Sequence, residues 1–290
     1  MNNLLSAYFQ RLLKSRLYWC LLGLMILSGI IIPILAHREM IAYGTDYTLE
    51  SRLVWHFLII GFIVAIFCSW FLGTDYSDGT IKNKIIAGNS RLKIYISALL
   101  ICVIASVILV VAHQITIIGL GTWLIAPFKT DIHTISLIIG ISILATITFA
   151  GINTMIVMIN QNKASSSIIC LVVSLLMFGI SFYVLSVLFS SDMAHSDSIV
   201  KQIYEFLNIF LPTGQLLNLI NLQIIQATEM IIYNILILVI STGTGIMVFE
   251  KKNLKWICRE WCYVVENNGV FLAGNNICFT FENLLYEKSN

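Results

Sequence analysis

Few side chains in this sequence have the type and spacing for chemistry, and most of those lie within long apolar runs. His56 and His113 are the histidines inside such runs, and neither has a carboxylate neighbour to polarise it or to help it activate water. There is no H-E-x-x-H pair for a zinc hydrolase and no G-x-x-x-x-G-K-[ST] loop to cradle nucleotide phosphates. Each histidine is therefore expected to be satisfied by a backbone carbonyl rather than to act as a base. Cys20, Cys68, Cys102 and Cys170 also lie in apolar runs, where a thiol packs as a small apolar group. Cys258, Cys262 and Cys278 fall near the C-terminal end, without a C-x-x-C pair to hold zinc. We expect no catalytic residue, no metal site and no cofactor bound by the chain itself.

The apolar runs must position whatever chemistry there is. Of 290 residues, 58% are hydrophobic and 11% charged, with a mean hydropathy of +0.90. A soluble domain carries roughly a quarter charged residues, so lipid must be part of this chain's solvent. The net charge of +2 comes with no basic stripe, which argues against a nucleic-acid partner. A spanning helix needs roughly 20 apolar residues. Such runs occur at 17–36, 53–72, 94–118, 135–159, 165–189 and 230–249, and none contains Asp, Glu, Lys or Arg. They are continuous rather than alternating, which means helices. The fold class predicted is all-α, a polytopic integral membrane protein with six transmembrane helices.

An ion-coupled carrier usually places ionisable groups within its spans. Here the polar residues of the runs are His56, His113, Gln114, Asn153, Asn234 and scattered Ser and Thr. These suit bonds between helices, or a path for an amphipathic solute. Sodium sites made of backbone carbonyls stay open.

The first run is longer than a signal-peptide core and is expected to stay in the protein. Before it, Leu5, Tyr8, Phe9, Leu12 and Leu13 fall on one helical face, with Arg11 and Lys14 elsewhere. The segment reads either as an amphipathic interfacial helix or as the basic flank of the first span. Of the 17 Lys and Arg, only Arg38, Arg52, Lys129 and Lys201 fall on the side opposite the termini. Both termini are therefore expected to be cytoplasmic.

One loop between spans stands apart. Residues 75–91 read D-Y-S-D-G-T-I-K-N-K-I-I-A-G-N-S-R. Asp78 or Thr80 can cap a short helix whose apolar edge is Ile81, Ile85 and Ile86. Gly88 suits its end, and Ser90 can cap the third span. A short cytoplasmic helix near residues 78–87, joined to two spans, can pass a push from a soluble partner into the membrane. A plain basic membrane-surface helix is the alternative.

This loop resembles the segment between spans two and three in the membrane subunits (permeases) of type-2 ATP-binding-cassette exporters. Q-N-K-A at 161–164 is similar to that family's short inside loop, and L-P-T-G-Q at 211–215 to its segment before the last span. The resemblance covers roughly residues 1–252, the expected permease domain. It implies that the short helix is a coupling helix docking on a separate ATP-binding-cassette ATPase subunit, which alone binds and hydrolyses ATP. It marks Tyr76, Asp78, Gly79, Thr80, Ile81 and Asn83 as candidates for that contact. It further implies that a second permease copy, or a related permease, completes the translocation path. The cargo expected is peptide-like or amphipathic, such as antimicrobial peptides or drugs, with self-protection, that is antibiotic or bacteriocin resistance, as the purpose. An ion-gradient-driven secondary transporter is the main alternative, and a membrane-anchoring or sensory subunit a third.

Residues 203–211 and 216–225 are too apolar for an exposed loop and too short to span, so short re-entrant or interfacial helices are expected there. Residues 253–290 form a tail beyond the family's usual end at F-E-K-K, 249–252. Residues 270–273, which begin at Val270, and 277–281, around Phe279, are candidates for strands or interfacial segments, and docking on the ATPase, lying on the membrane, or no role all stay open for the tail. The composition, rich in Ile and Asn, points to an AT-rich bacterial genome and hence to a bacterial cell membrane.

Overall fold

The computed structural model describes residues 2–44, 47–125, 127–189, 199–220, 226–251, 263–266 and 269–272. The chain divides into two units, Met1–Lys252 and Asn253–Asn290. In the second, β1 (Tyr263–Glu266) pairs antiparallel with β2 (Gly269–Leu272), Val265 opposite Val270. Val270 thus lies in a strand, whereas Phe279 and its neighbours lie outside the described residues.

The first unit is helical. In chain order it comprises α1 (Asn2–Lys14), α2 (Arg16–Tyr43), α3 (Leu49–Leu53), α4 (Phe57–Ser77), α5 (Thr80–Ile86) and α6 (Arg91–Leu124). There follow α7 (Ile132–Asn160), α8 (Lys163–Leu188), α9 (Ile199–Phe210), α10 (Pro212–Ile220) and α11 (Ala227–Lys251). Six of them, α2, α4, α6, α7, α8 and α11, are long and apolar enough to cross a membrane, one for each expected run. The chain is a multi-pass α-helical membrane protein. Trp19 and Trp70 are exposed toward one end of the bundle, Trp55 and Trp123 toward the other, as expected of aromatic side chains at two membrane surfaces.

Local chemistry sets the breaks. Ser15 separates α1 from α2, its hydroxyl accepting from the Tyr18 N–H. The N-terminal segment is therefore a helix of its own, not a flank of the first span. It buries Leu4, Tyr8 and Leu12, a stripe of spacing four, and leaves Phe9 and Leu13 exposed. The part of the apolar face that is buried is the part that packs on α6 and covers α4. Gln161 in the left-handed region closes α7, and the Asn162 side chain caps α8 through the Ala164 N–H at 2.9 Å. Ser90 caps α6, as expected.

α4, α6 and α7 form the centre; α2 packs on α6, α8 on α4 and α11 on α7. Between helices in lipid, close packing has to replace the hydrophobic drive, so small residues line the contacts. The buried stripe of α8 is Ser166, Cys170, Ser174 and Ser181, and the Ser174 hydroxyl reaches the Gly61 carbonyl of α4 at 3.4 Å. On α2, a Cβ at Gly29 would lie 2.9 Å from Thr116 Cβ and 3.1 Å from the His113 carbonyl. Gly29→Val is expected to cost about 1–3 kcal/mol through overpacking, read as a lowered unfolding midpoint in mild detergent; an unchanged midpoint would place the α2–α6 contact elsewhere.

α9 and α10 are the short helices expected after the fifth span; residues 221–225 of that stretch lie outside the described residues. Pro212 occupies the first turn of α10, where its missing N–H is no loss. All the side chains from Pro212 to Leu219 are buried. Thr213 bonds Ser181 and the Met177 carbonyl of α8. Gln215 donates to the Ile209 carbonyl at 2.7 Å and accepts from Asn234 of α11, and Asn208 donates to Asn218 at 2.8 Å. L-P-T-G-Q thus forms the polar key of a buried turn.

At the same end as α10, α3 is stitched to the α6–α7 connection. Buried Glu50 accepts the N–H groups of Lys129 at 2.6 Å and Thr130 at 2.7 Å. Burial alone would push its pKa up, but these donors outweigh burial and hold it below the usual carboxylate range. A carboxylate with a depressed folded pKa contributes stability above its unfolded value of about 4.3 and loses it as pH falls through the folded value. Glu50→Gln is therefore expected to flatten the acid limb of the stability profile, measured as unfolding midpoint against pH.

Candidate functional site at the α5 end of the bundle

The end of the bundle opposite α3 carries the densest charge. α4 does not stop at Leu72, where its apolar run ends, but continues to Ser77 and brings Asp75 into the helix. The span is thus not free of ionisable groups, a correction to the reading of the run alone. Asp75 is 1% exposed. A lone carboxylate there would be costly, and three side chains from two neighbouring helices answer it. Arg11 of α1 donates to Oδ1 and the Lys84 ammonium of α5 sits 3.1 Å from Oδ2. The Thr80 hydroxyl donates to the same carboxylate, and Arg11 also donates to the Phe71 carbonyl at 2.8 Å. Aromatic faces complete the shell, with Lys84 Nζ 3.7 Å from the centroid of the Tyr8 ring and the Arg11 guanidinium 4.7 Å from that of Phe71. Burial lowers the Lys84 pKa, opposed by Asp75, and burial with Asp75 beside it raises that of Tyr8.

This knot holds α5 in place. The turn before it runs through Gly79 in the left-handed region, φ +68°, and the turn after it through Gly88, φ +83°. The start of α5 is not capped by a side chain, contrary to the expectation for Asp78 or Thr80. Asp78 ends α4, and Thr80 spends its hydroxyl on Asp75. On the far side of α5, Arg91 at the start of α6 donates to the Glu250 carbonyl at 2.8 Å, tying this end to α11.

The six candidate contact residues divide into two groups. Tyr76 bonds the Met158 carbonyl of α7 at 3.2 Å, Thr80 bonds Asp75, and Ile81 is buried. These three face the bundle and support α5. Asp78 and Asn83 face outward, with Gly79 shaping the turn between them. The apolar edge is likewise split, because Ile81 is buried, Ile85 half-buried and Ile86 71% exposed. The outer surface of α5 is therefore Asp78, Asn83, Ile86, Ala87 and Gly88. Asp75, Tyr8 and Arg11 were not legible as site residues. The usable signal was the carboxylate itself, one turn past an apolar run, where it demands a cation.

Among the described residues, no group of three or more His, Cys, Asp or Glu side chains is placed to hold a metal ion. As expected, each histidine of the spans faces a backbone carbonyl, His56 that of Leu53 and His113 that of Met25. No known protein-family model matches the chain, and no curated protein matches it in sequence.

Proposed function

We propose that the chain is the membrane subunit of an ATP-driven exporter, with α5 as the element through which a separate ATPase subunit moves the bundle. The observation that carries this reading is the construction of α5. It is a two-turn helix at the end of the bundle, keyed to α4 and α1 through Asp75, with an exposed apolar tip at Ile86. A push on such a helix reaches α4, the most enclosed span, without dissipating in a flexible loop. The alternation of basic residues supports a cytoplasmic location for this end and for both termini, where ATP is. A bacterial plasma membrane is the setting proposed.

A second permease copy or a related permease completes the path. The outward faces of α2, α8 and α11 are apolar, which suits packing against another copy or lipid. The cargo proposed is amphipathic or peptide-like, and the role self-protection against such compounds. Tagging the chain in its host, solubilising it mildly and identifying what co-purifies tests the reading. A stoichiometric P-loop ATPase is the expected result. Transport-competent preparations without any nucleotide-binding partner would overturn it in favour of ion-gradient coupling.

A further inference from the structure

The apolar face of α1 is wider than the bundle covers. Leu4, Tyr8 and Leu12 are buried against the bundle. Leu5, Phe9 and Leu13 form a second stripe, rotated from the first by about 100°. In it Leu5 is half-buried, Phe9 43% exposed and Leu13 47% exposed. Further round the helix lie Ser6, Gln10 and Lys14, all exposed, which make the polar side. Ser15 alone separates α1 from α2, a helix apolar enough to span, so the uncovered stripe runs straight into the depth of the lipid. Trp19 is 52% exposed, and its Nε1 reaches back across the break to donate to the Leu13 carbonyl at 2.7 Å. Phe9, Leu13 and Trp19 therefore make one apolar and aromatic surface at the elbow of α1 and α2.

Charge marks the same elbow. Lys14 and Arg16 flank Ser15, and both are exposed. Among the described residues neither makes an ion pair, whereas Arg11 is spent on Asp75. No Asp or Glu occurs from Met1 to Arg38. The acids that other helices of this unit bring to this end are Asp75, Asp78 and Glu250. Asp75 is enclosed by its own partners, Asp78 accepts from the Ser77 hydroxyl at 3.1 Å, and Glu250 is exposed. Two uncompensated cations thus stand beside an uncovered apolar stripe, at the level where a leaflet has its headgroups. A neutral leaflet would cover the stripe and leave the charges unanswered. A free anion would answer the charges and leave the stripe bare. A phospholipid with a net negative headgroup supplies both in one molecule.

We infer that the α1–α2 elbow binds an anionic phospholipid, its headgroup held by Lys14 and Arg16 and its acyl chains lying over Phe9, Leu13 and Trp19. A basic side chain at an anionic leaflet is worth roughly fivefold in the binding equilibrium, and the pair therefore about 30-fold. The bound lipid holds α1 on the bundle, and with it the Arg11 guanidinium on Asp75. The inference does not depend on the exporter reading.

The test is hydrogen–deuterium exchange of the full chain, read by mass spectrometry on the backbone amides of α1, in nanodiscs holding a single chain each. Discs of phosphatidylcholine alone are compared with discs that also contain phosphatidylglycerol. The expected result is exchange in α1 slowed by about 30-fold where phosphatidylglycerol is present. Lys14→Gln combined with Arg16→Gln should abolish the difference. Equal exchange in the two kinds of disc, or a difference that survives both substitutions, would overturn the site. So would an equal slowing in phosphatidylcholine discs on adding inorganic phosphate, which marks a free-anion site, or on loading a second chain into each disc, which marks an interface between copies. The wild-type comparison needs no variant, so the inference stays testable if the double variant fails to fold.

Discussion

Asp75→Asn is expected to destabilise the protein by about 2–3 kcal/mol, the cost of leaving the partly buried Arg11 and Lys84 without their counter-charge. Arg11 and Lys84 would both lose the carboxylate, and Thr80 would lose its strongest acceptor. The measurement is the unfolding midpoint in detergent for four proteins: wild type, Asp75→Asn, Arg11→Leu with Lys84→Met, and the triple variant Asp75→Leu, Arg11→Leu, Lys84→Met. Apolar replacement of a whole buried ionic group is often neutral or stabilising, so the triple variant should recover most of the loss. The double variant, with Asp75 still present, should be the other poor one. If Asp75→Asn melted like wild type, the carboxylate would not be the joint between α1, α4 and α5. The triple variant also isolates the ion triad from mere packing, because it keeps the volume while removing the charges.

Ile86→Asp should have the opposite profile. Ile86 is 71% exposed on α5, so stability should change by no more than about 0.5 kcal/mol. Association with the proposed ATPase subunit should instead weaken by about 30-fold or more, the consequence of losing an apolar anchor worth about 2 kcal/mol at an interface centre. Co-purified ATPase per chain, compared between wild type and variant at equal expression, reads this directly. Asn83→Ala, on the same surface, should weaken association less, since truncating a rim polar group costs little. Full retention of the ATPase by Ile86→Asp would remove α5 from the docking surface while leaving the folding role of Asp75 intact. The two experiments therefore fail separately.

Much of this architecture was legible before any coordinates. Ser90, Gly88 and the six apolar runs announce themselves because a cap, a left-handed turn and a membrane span depend on residues close in the chain. The misplacements have a common origin. The run 53–72 was read as one span, but the helix breaks at Val54–His56 and restarts at Phe57. Hydropathy does not register that break, since Val, Trp and His at a membrane surface are as acceptable in a turn as in a helix. Ile81 and Ile86 look equivalent on an apolar edge, yet one is enclosed and the other is the tip, because α5 rolls so that Lys84 and Thr80 both meet Asp75. Phe9 and Leu13 share the apolar face of α1 with Tyr8 and Leu12, yet only the latter pair is covered by protein. The helical period shows which residues share a face, while the neighbouring helices select the part of that face which is covered.

By itself, then, the sequence determined that residues 1–252 are built of helices, that six of these are long and apolar enough to cross a membrane, and that a short helix interrupts the second connection. Each of these is a sum over roughly 20 neighbouring residues and needs no knowledge of the rest of the chain. Tertiary structure alone decided which side chains became partners. Asp75 takes its cations from 64 residues upstream and 9 downstream. His56 meets His113 across two helices, and Gln215 is locked by Asn234. A polar group in an apolar bundle must find its partner wherever helix rotation and depth bring one within about 3 Å, and no local pattern encodes either.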